Sequence, residues 1–118
     1  MNPLRITHRE TPAGPLLRLS GDLDFDQAPE LRRQVDQLDL RPGQCLVVDV
    51  SGLEFCDSSG ITAFLTARQR ALEARADVAL SAVPANLLRV LTLVGLDRVF
   101  TLLPAGGDPA RPTGQDTR

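Results

Sequence analysis

Lysine is absent from this chain of 118 residues; all thirteen basic side chains are arginine. That removes Schiff-base chemistry and the phosphate-gripping lysine of a P-loop. Histidine is nearly absent too, the single copy being His8. Cysteine is scarce. Cys45 opens the apolar run CLVVDV, Cys56 follows Phe55, and no Cys-x-x-Cys pair exists. Two such residues make no disulfide framework, and with one histidine they offer no metal or redox set. Both read as small buried hydrophobes. No apolar stretch approaches the roughly 18 residues a bilayer span needs. The opening MNPLRITHRE carries no apolar signal core. The expectation is a soluble, cytoplasmic chain with no membrane partner. A formal net charge of -2 leaves no basic footprint for nucleic acid.

What is present is ordinary globular composition, 42% hydrophobic and 24% charged, in a length that suits one domain with a real core. Residues 4–10 (LRITHRE) alternate as an edge strand does, 11–14 (TPAG) signal a turn, and 15–20 (PLLRLS) read as a second strand closing a hairpin. Residues 21–26 read as a loop. Ala28, Leu31, Val35 and Leu38 then recur on one helical face, with Asp26 as N-cap and Pro29 in the first turn. Arg41-Pro42-Gly43 breaks the chain. Residues 45–50 (CLVVDV) suit a strand buried on both faces, and 51–57 (SGLEFCD) read as the loop after it.

A second helical stripe follows, with Ile61, Phe64, Leu65 and Leu72, and Arg68 snorkelling at its edge. Residues 76–83 read as a strand. Pro84 starts a third helix with Leu87, Leu88, Leu91 and Val94 on one side, and Gly95 closes it at C′. Residues 99–103 are the last strand. From Pro104 to Arg118 no apolar residue is larger than alanine, which predicts a disordered tail. The domain is thus expected over 1–103 and the tail over 104–118.

The order β-β-α-β-α-β-α-β predicts an α/β fold whose sheet is mostly parallel after an N-terminal hairpin. Such sheets place their sites at the carboxyl edge. The loops 21–26 and 51–58 are therefore expected side by side.

The first of these loops reads GDLDFD. Asp22, Asp24 and Asp26 alternate like calcium ligands, but an EF-hand needs glycine at its sixth position and glutamate at its twelfth. Gln27 and Arg33 stand there. Asp-x-Asp after a strand also opens the phosphoaspartyl phosphatases of the haloacid-dehalogenase type. Those use a basic residue, usually lysine, on a later element, and this chain has no lysine. The plain reading is a solvated acidic loop for Asp22 and Asp26, with Asp24 held apart.

The second loop leads into CDSSGIT at 56–62. As a nucleophile site it has no base: His8 lies in the first strand and no Gly-x-Ser-x-Gly elbow occurs. Asp57 or Ser58 is expected to N-cap the helix. Capping does not account for Gly60, which in a first helical turn costs up to ~1 kcal/mol relative to alanine. A bare backbone that another molecule can approach would account for it.

These residues carry a resemblance. The chain is similar to the STAS-domain family of bacterial anti-sigma-factor antagonists from about Leu4 to Leu103. The similar segments are SGDLDFDQAPELR at 20–32, VVDVSGLEFCDSSGITAF at 47–64 and VPANLLRVLTLVGLDRVF at 83–100. Each alone is weak; three in order at matching spacing are specific. The resemblance implies a single-domain STAS-like fold and a protein that is no enzyme and holds no cofactor or metal. It implies one partner, an anti-sigma factor with serine kinase activity, whose capture frees a sigma factor, and a second partner, a serine phosphatase, that resets the switch.

By position, the phosphate acceptor would be Ser58, with Ser59 as the alternative and Asp57 and Gly60 flanking. Asp24 matches the aspartate of the family's Gly-x-Leu-Asp motif, and the loop Asp22–Asp26, with Asp22 and Asp24, would be the second partner contact. Thr62, Ala63 and Thr66 would be partner contacts if they face outward. Thr62 stands where the family often has a second glycine. The competing reading is a STAS scaffold or sensor subunit of another signalling assembly.

Overall fold

The computed structural model describes residues 2–105; from residue 106 onward, the tail expected at the C-terminus lies outside the described residues. Nine elements follow one another: β1 (Arg5–Thr11), β2 (Gly14–Leu23), α1 (Ala28–Asp36), β3 (Cys45–Cys56), α2 (Ser58–Glu73), β4 (Asp77–Ser81), α3 (Ala85–Leu93), a 3-10 turn (Leu96–Arg98) and β5 (Thr101–Leu103). The five strands form one sheet in the order β1-β2-β3-β4-β5. β1 pairs antiparallel with β2, and all later pairs are parallel. The α/β fold with an opening hairpin is thus as the sequence predicts.

Alternation along the strands divides the sheet into two faces. Leu17, Leu19 and Leu23 of β2, Leu46, Val48 and Val50 of β3, and Val78 and Leu80 of β4 join the buried helix residues in the main core. Val47, Ala79 and Leu103 form a second, strand-only cluster on the other face. There Asp49 hydrogen-bonds Arg18 Nε at 3.2 Å and the Ser51 amide at 2.9 Å. Burial pushes the Asp49 carboxyl up, but these donors outweigh it and hold it below its ordinary range.

Three expectations need correction. Of the segments 21–26 and 51–57, read as loops, residues 21–23 and 51–56 are strand. β2 runs to Leu23 and β3 to Cys56, paired as Gly21 with Leu53, Asp22 with Phe55 and Leu23 with Cys56. Local sequence hid this because β3 takes one extra residue at each of two register shifts. These interrupt the period-2 pattern and leave Glu54 and Phe55 both exposed.

The α2 stripe is rotated. Its buried residues are Gly60, Ala63, Phe64, Ala67 and Ala71, whereas Leu65 and Leu72 are exposed. Small side chains let the helix axis approach the sheet, so alanine marks the inner face. In α3, likewise, Leu87 and Leu91 point inward, but Leu88 and Val94 do not. The third correction concerns the cap of α1: Asp26 makes no cap, and Gln27 occupies the N-cap position without a side-chain bond.

Candidate functional site

The carboxyl edge of β2 and β3 brings the two singled-out motifs together. The Asp57 amide donates to the Leu23 carbonyl at 3.3 Å, tying the start of α2 to the end of β2. Asp57 is the N-cap of α2: its Oδ1 accepts from the Ser59 amide at 2.8 Å and the Gly60 amide at 3.3 Å. This satisfies donors that a helix start leaves open. Ser58 is the first helical residue and is exposed; Ser59 is half-buried.

Gly60 is buried and faces the chain's own interior. A Cβ there would stand 2.6 Å from Cys56 Sγ and 2.9 Å from Leu23 Cγ. The glycine therefore lets α2 sit down on β2 and β3, and the open approach to another molecule expected of it is not what it provides. Ala63 is buried as well and cannot meet a partner. Thr62 and Thr66 are exposed. Each hydroxyl donates back one turn, Thr62 Oγ1 to the Ser58 carbonyl at 2.9 Å and Thr66 Oγ1 to the Thr62 carbonyl at 3.0 Å.

Asp24 is engaged locally and Asp22 across the chain. Asp24 Oδ1 accepts from the Gln27 amide at 3.0 Å, and the Asp24 carbonyl accepts from the Ala28 amide at 2.8 Å. Asp24, not Asp26, organises the start of α1. Asp22 is strapped to the N-terminal segment: its amide donates to the Asn2 carbonyl at 3.0 Å, and its Oδ2 accepts from the Asn2 amide at 3.2 Å. Gly21, at φ +90, has the Pro3 carbonyl where a Cβ would be, which explains a glycine before Asp22. Nothing in the local sequence announces the Asn2–Pro3 strap, because it is a contact across about twenty residues of chain.

The chemistry available here is limited. Among the described residues no group of His, Cys, Asp and Glu could hold a metal ion. Burial pushes the Cys56 thiol up to about 12, with Asp57 adding to the effect, so it is protonated at neutral pH. His8 lies on β1, bonded to Glu10 at 2.7 Å. The exposed groups at this edge include Ser58, Thr62, Asp26, Arg32 and Glu54, with apolar side chains around them. Phe25 is 76% exposed, and a groove of about 390 Å³ runs from it past Arg32 to Ser59 and Thr62. On the other side, Ser58, Ile61 and Thr62 face Val90, Val94 and Leu96 across a groove of about 530 Å³. Sequence reasoning missed Val90, and it assigned Val94 to the core. The available signal was a surplus: Leu88, Val90, Leu93 and Val94 exceed what one inward stripe of a nine-residue helix can hold.

The family model described as "Mlab, STAS domain" matches residues 6–104. The chain belongs to the STAS-domain family. Solved structures share the fold at low identity. One is an anti-sigma factor antagonist from Mycobacterium paratuberculosis, at 22% identity over 85% of each chain and a TM-score of 0.70. Another is the anti-sigma factor antagonist SpoIIAA in its unphosphorylated form, at 17% identity over 83% of this chain and 87% of that one, TM-score 0.67. SpoIIAA of Bacillus in the phosphorylated form also matches, at 17% identity over 83% of this chain and 90% of that one, TM-score 0.63. A third protein is a sulfate transporter family protein from Wolinella succinogenes, at 15% identity over 75% and 74% of the two chains, TM-score 0.65. The STAS fold of this chain is therefore one that serves both antagonists and transporter-associated domains. No helix among its described residues is long and apolar enough to cross a membrane.

Proposed function

We propose that this STAS domain is an anti-sigma factor antagonist that binds an anti-sigma factor with serine kinase activity and is switched off by phosphorylation of Ser58. The observation that carries the reading is the placement of Ser58: exposed, first in α2, on the groove toward α3, beside an acid that already holds the helix cap. Ser59 is the alternative acceptor. That a protein of the same fold, SpoIIAA, is known phosphorylated and unphosphorylated supports it. Asp57, Ser58, Ser59, Thr62 and Thr66 form the contact ridge. Asp22 and Asp24 hold the neighbouring loop, and Gly60 seats the helix. A serine phosphatase resets the switch, and the chain itself catalyses nothing.

The switch works by electrostatics. A phosphate adds a charge of about -1.5 to -2. The first amides of α2 would welcome an anion, but those of Ser59 and Gly60 already serve Asp57. The phosphate is therefore held outward, next to a carboxylate, where a partner shaped to a neutral hydroxyl must desolvate it. A penalty of about 3 kcal/mol, roughly hundredfold in Kd, is the expected scale. Binding is tested with the anti-sigma serine kinases of the source organism, each purified, against wild type, Ser58→Ala and Ser58→Asp. Ser58→Ala keeps the partner and Ser58→Asp loses it; equal binding of the two variants refutes the switch.

A second reading, a STAS scaffold or sensor subunit of another assembly, is favoured by the match to a transporter family protein. It requires wild type to bind none of those kinases. A phosphoaspartyl enzyme using Asp22 and Asp24 would turn over a phosphate ester with magnesium, and loss of that turnover in Asp22→Asn would establish it.

A further inference from the structure

The two serines at the start of α2 line different grooves. Ser58 lines the one toward α3, with Val90 and Val94 opposite. Ser59 lines the one toward α1, with Thr62 beside it and Ala28, Pro29 and Arg32 opposite. Helix geometry separates them, since successive residues turn by about 100°. The same geometry puts Ser59 and Thr62, three apart, on one face of α2, and Ala28 and Arg32, four apart, on one face of α1. The packing behind the α1 groove is fixed: Ala28, Leu31, Ala63 and Phe64 are all buried. Farther along the same two helices an arginine already meets a carboxylate, Arg70 Nε standing 3.8 Å from Asp36 Oδ1. Arg33 is held by Glu30. Arg32, by contrast, is exposed and makes no hydrogen bond or ion pair among the described residues.

We infer that Arg32 is the internal counter-ion of a phosphate on Ser59, so the two serines yield different phosphorylated states. A phosphate on Ser59 is paired across the α1–α2 groove; one on Ser58 has no cation on its own groove. The inference rests on the proposed function for the source of the phosphate, and it adds that the two acceptors are not interchangeable. The transfer places the terminal phosphoryl group of a nucleoside triphosphate on Ser59 Oγ. The bond to the bridging oxygen breaks, the nucleoside diphosphate leaves, and the hydroxyl proton passes to solvent. Guanidinium suits the product because its planar fork donates to two phosphate oxygens at once. Asp26 also lines this groove and Asp57 caps the helix beside it, so two carboxylates oppose the dianion and Arg32 offsets them. Pairing in place also ties α1 to α2, which makes phospho-Ser59 a brace, whereas phospho-Ser58 presents its charge to the partner.

The test installs phosphoserine at position 59, or at position 58, of the full-length chain by genetic encoding, and titrates each phosphate by phosphorus NMR. The second ionisation of phosphoserine ordinarily lies near about pH 6. At position 59 it should fall about half a pH unit lower with Arg32 present than with Arg32→Gln, because a neighbouring cation favours the dianion. Arg32→Lys should keep part of that shift, as a point charge without the fork. At position 58, Arg32→Gln should leave the ionisation where it is. Circular dichroism melts control for folding, and Arg32→Ala stands in if the glutamine variant melts early. An ionisation at position 59 that neither variant moves overturns the inference. Equal displacement at both positions overturns it too, since that would mark a general field and not a groove pair. The readout needs no kinase and so fails separately from the proposed function: a phosphate on Ser58 that leaves kinase binding intact refutes the switch and leaves the Arg32 pair standing.

Discussion

The two flanks of the first turn of α2 use their residues in opposite ways. On the α1 side the polar groups are engaged within the chain: Asp24 organises the start of α1, and Asp22 holds the Asn2–Pro3 strap. On the α3 side the aliphatic groups of Val90, Leu93 and Val94 are left in water. The α1 flank reads as a binding loop in the sequence; in the fold its Asp22 and Asp24 are internal braces, while Phe25 and Asp26 stay exposed. The α3 flank reads as core in the sequence and is surface in the fold. Carboxylates satisfied by local amides shape a loop; aliphatic side chains without neighbours are what a partner can still cover.

The inner and outer faces of α2 give the largest test of this contrast. Gly60→Val drives a branched side chain into Cys56 and Leu23 and should cost about 3 kcal/mol of stability in urea melts. Thr62→Val, two residues on but exposed, should stay within about 0.5 kcal/mol. Similar losses at both positions would erase the distinction between seat and contact.

The caps come next. Asp57→Ala and Asp24→Ala should each cost about 1 kcal/mol through lost amide acceptors, whereas Asp26→Ala, which caps nothing, should stay within about 0.5 kcal/mol. Thermal melts of the three variants read this directly. A larger loss at Asp26 than at Asp24 would return the cap to the residue the sequence suggested.

The smallest effect is on pH. The Asp49 carboxyl is held below its ordinary range in the fold. Its contribution is therefore fully present above the unfolded value of about 3.9 and is lost as pH falls through the lower folded value. Asp49→Asn should flatten the dependence of unfolding free energy on pH below about 4. A slope unchanged from wild type would show that Arg18 and Ser51 do not hold the carboxylate in solution.

Much of the fold was legible because it rests on periodicity. The alternation in β2, the β-branched run of β3 and the helical spacing of Ala28, Leu31 and Val35 each report burial directly. Gly95, at φ +81, ends α3 as its position suggests. Arg75 takes the same left-handed conformation, at φ +60 after α2, and nothing in its chemistry announces it. The candidate site was legible only in part. Ser58 and Asp57 stand out by motif and by capping chemistry. The burial of Gly60 and Ala63 does not, because it depends on which side of α2 meets the sheet.

The sequence by itself determined the α/β order of elements and the meeting of its two motifs at one sheet edge. These follow from local periodicity and from which side chains exist. Only the tertiary structure decided the rotation of α2, the bulged pairing that carries β3 to Cys56 and the exposure of Val90 and Val94. Each depends on how close a helix can approach a sheet, and a run of alanines and one glycine set that distance here only against Leu23 and Cys56, residues contributed by two different strands.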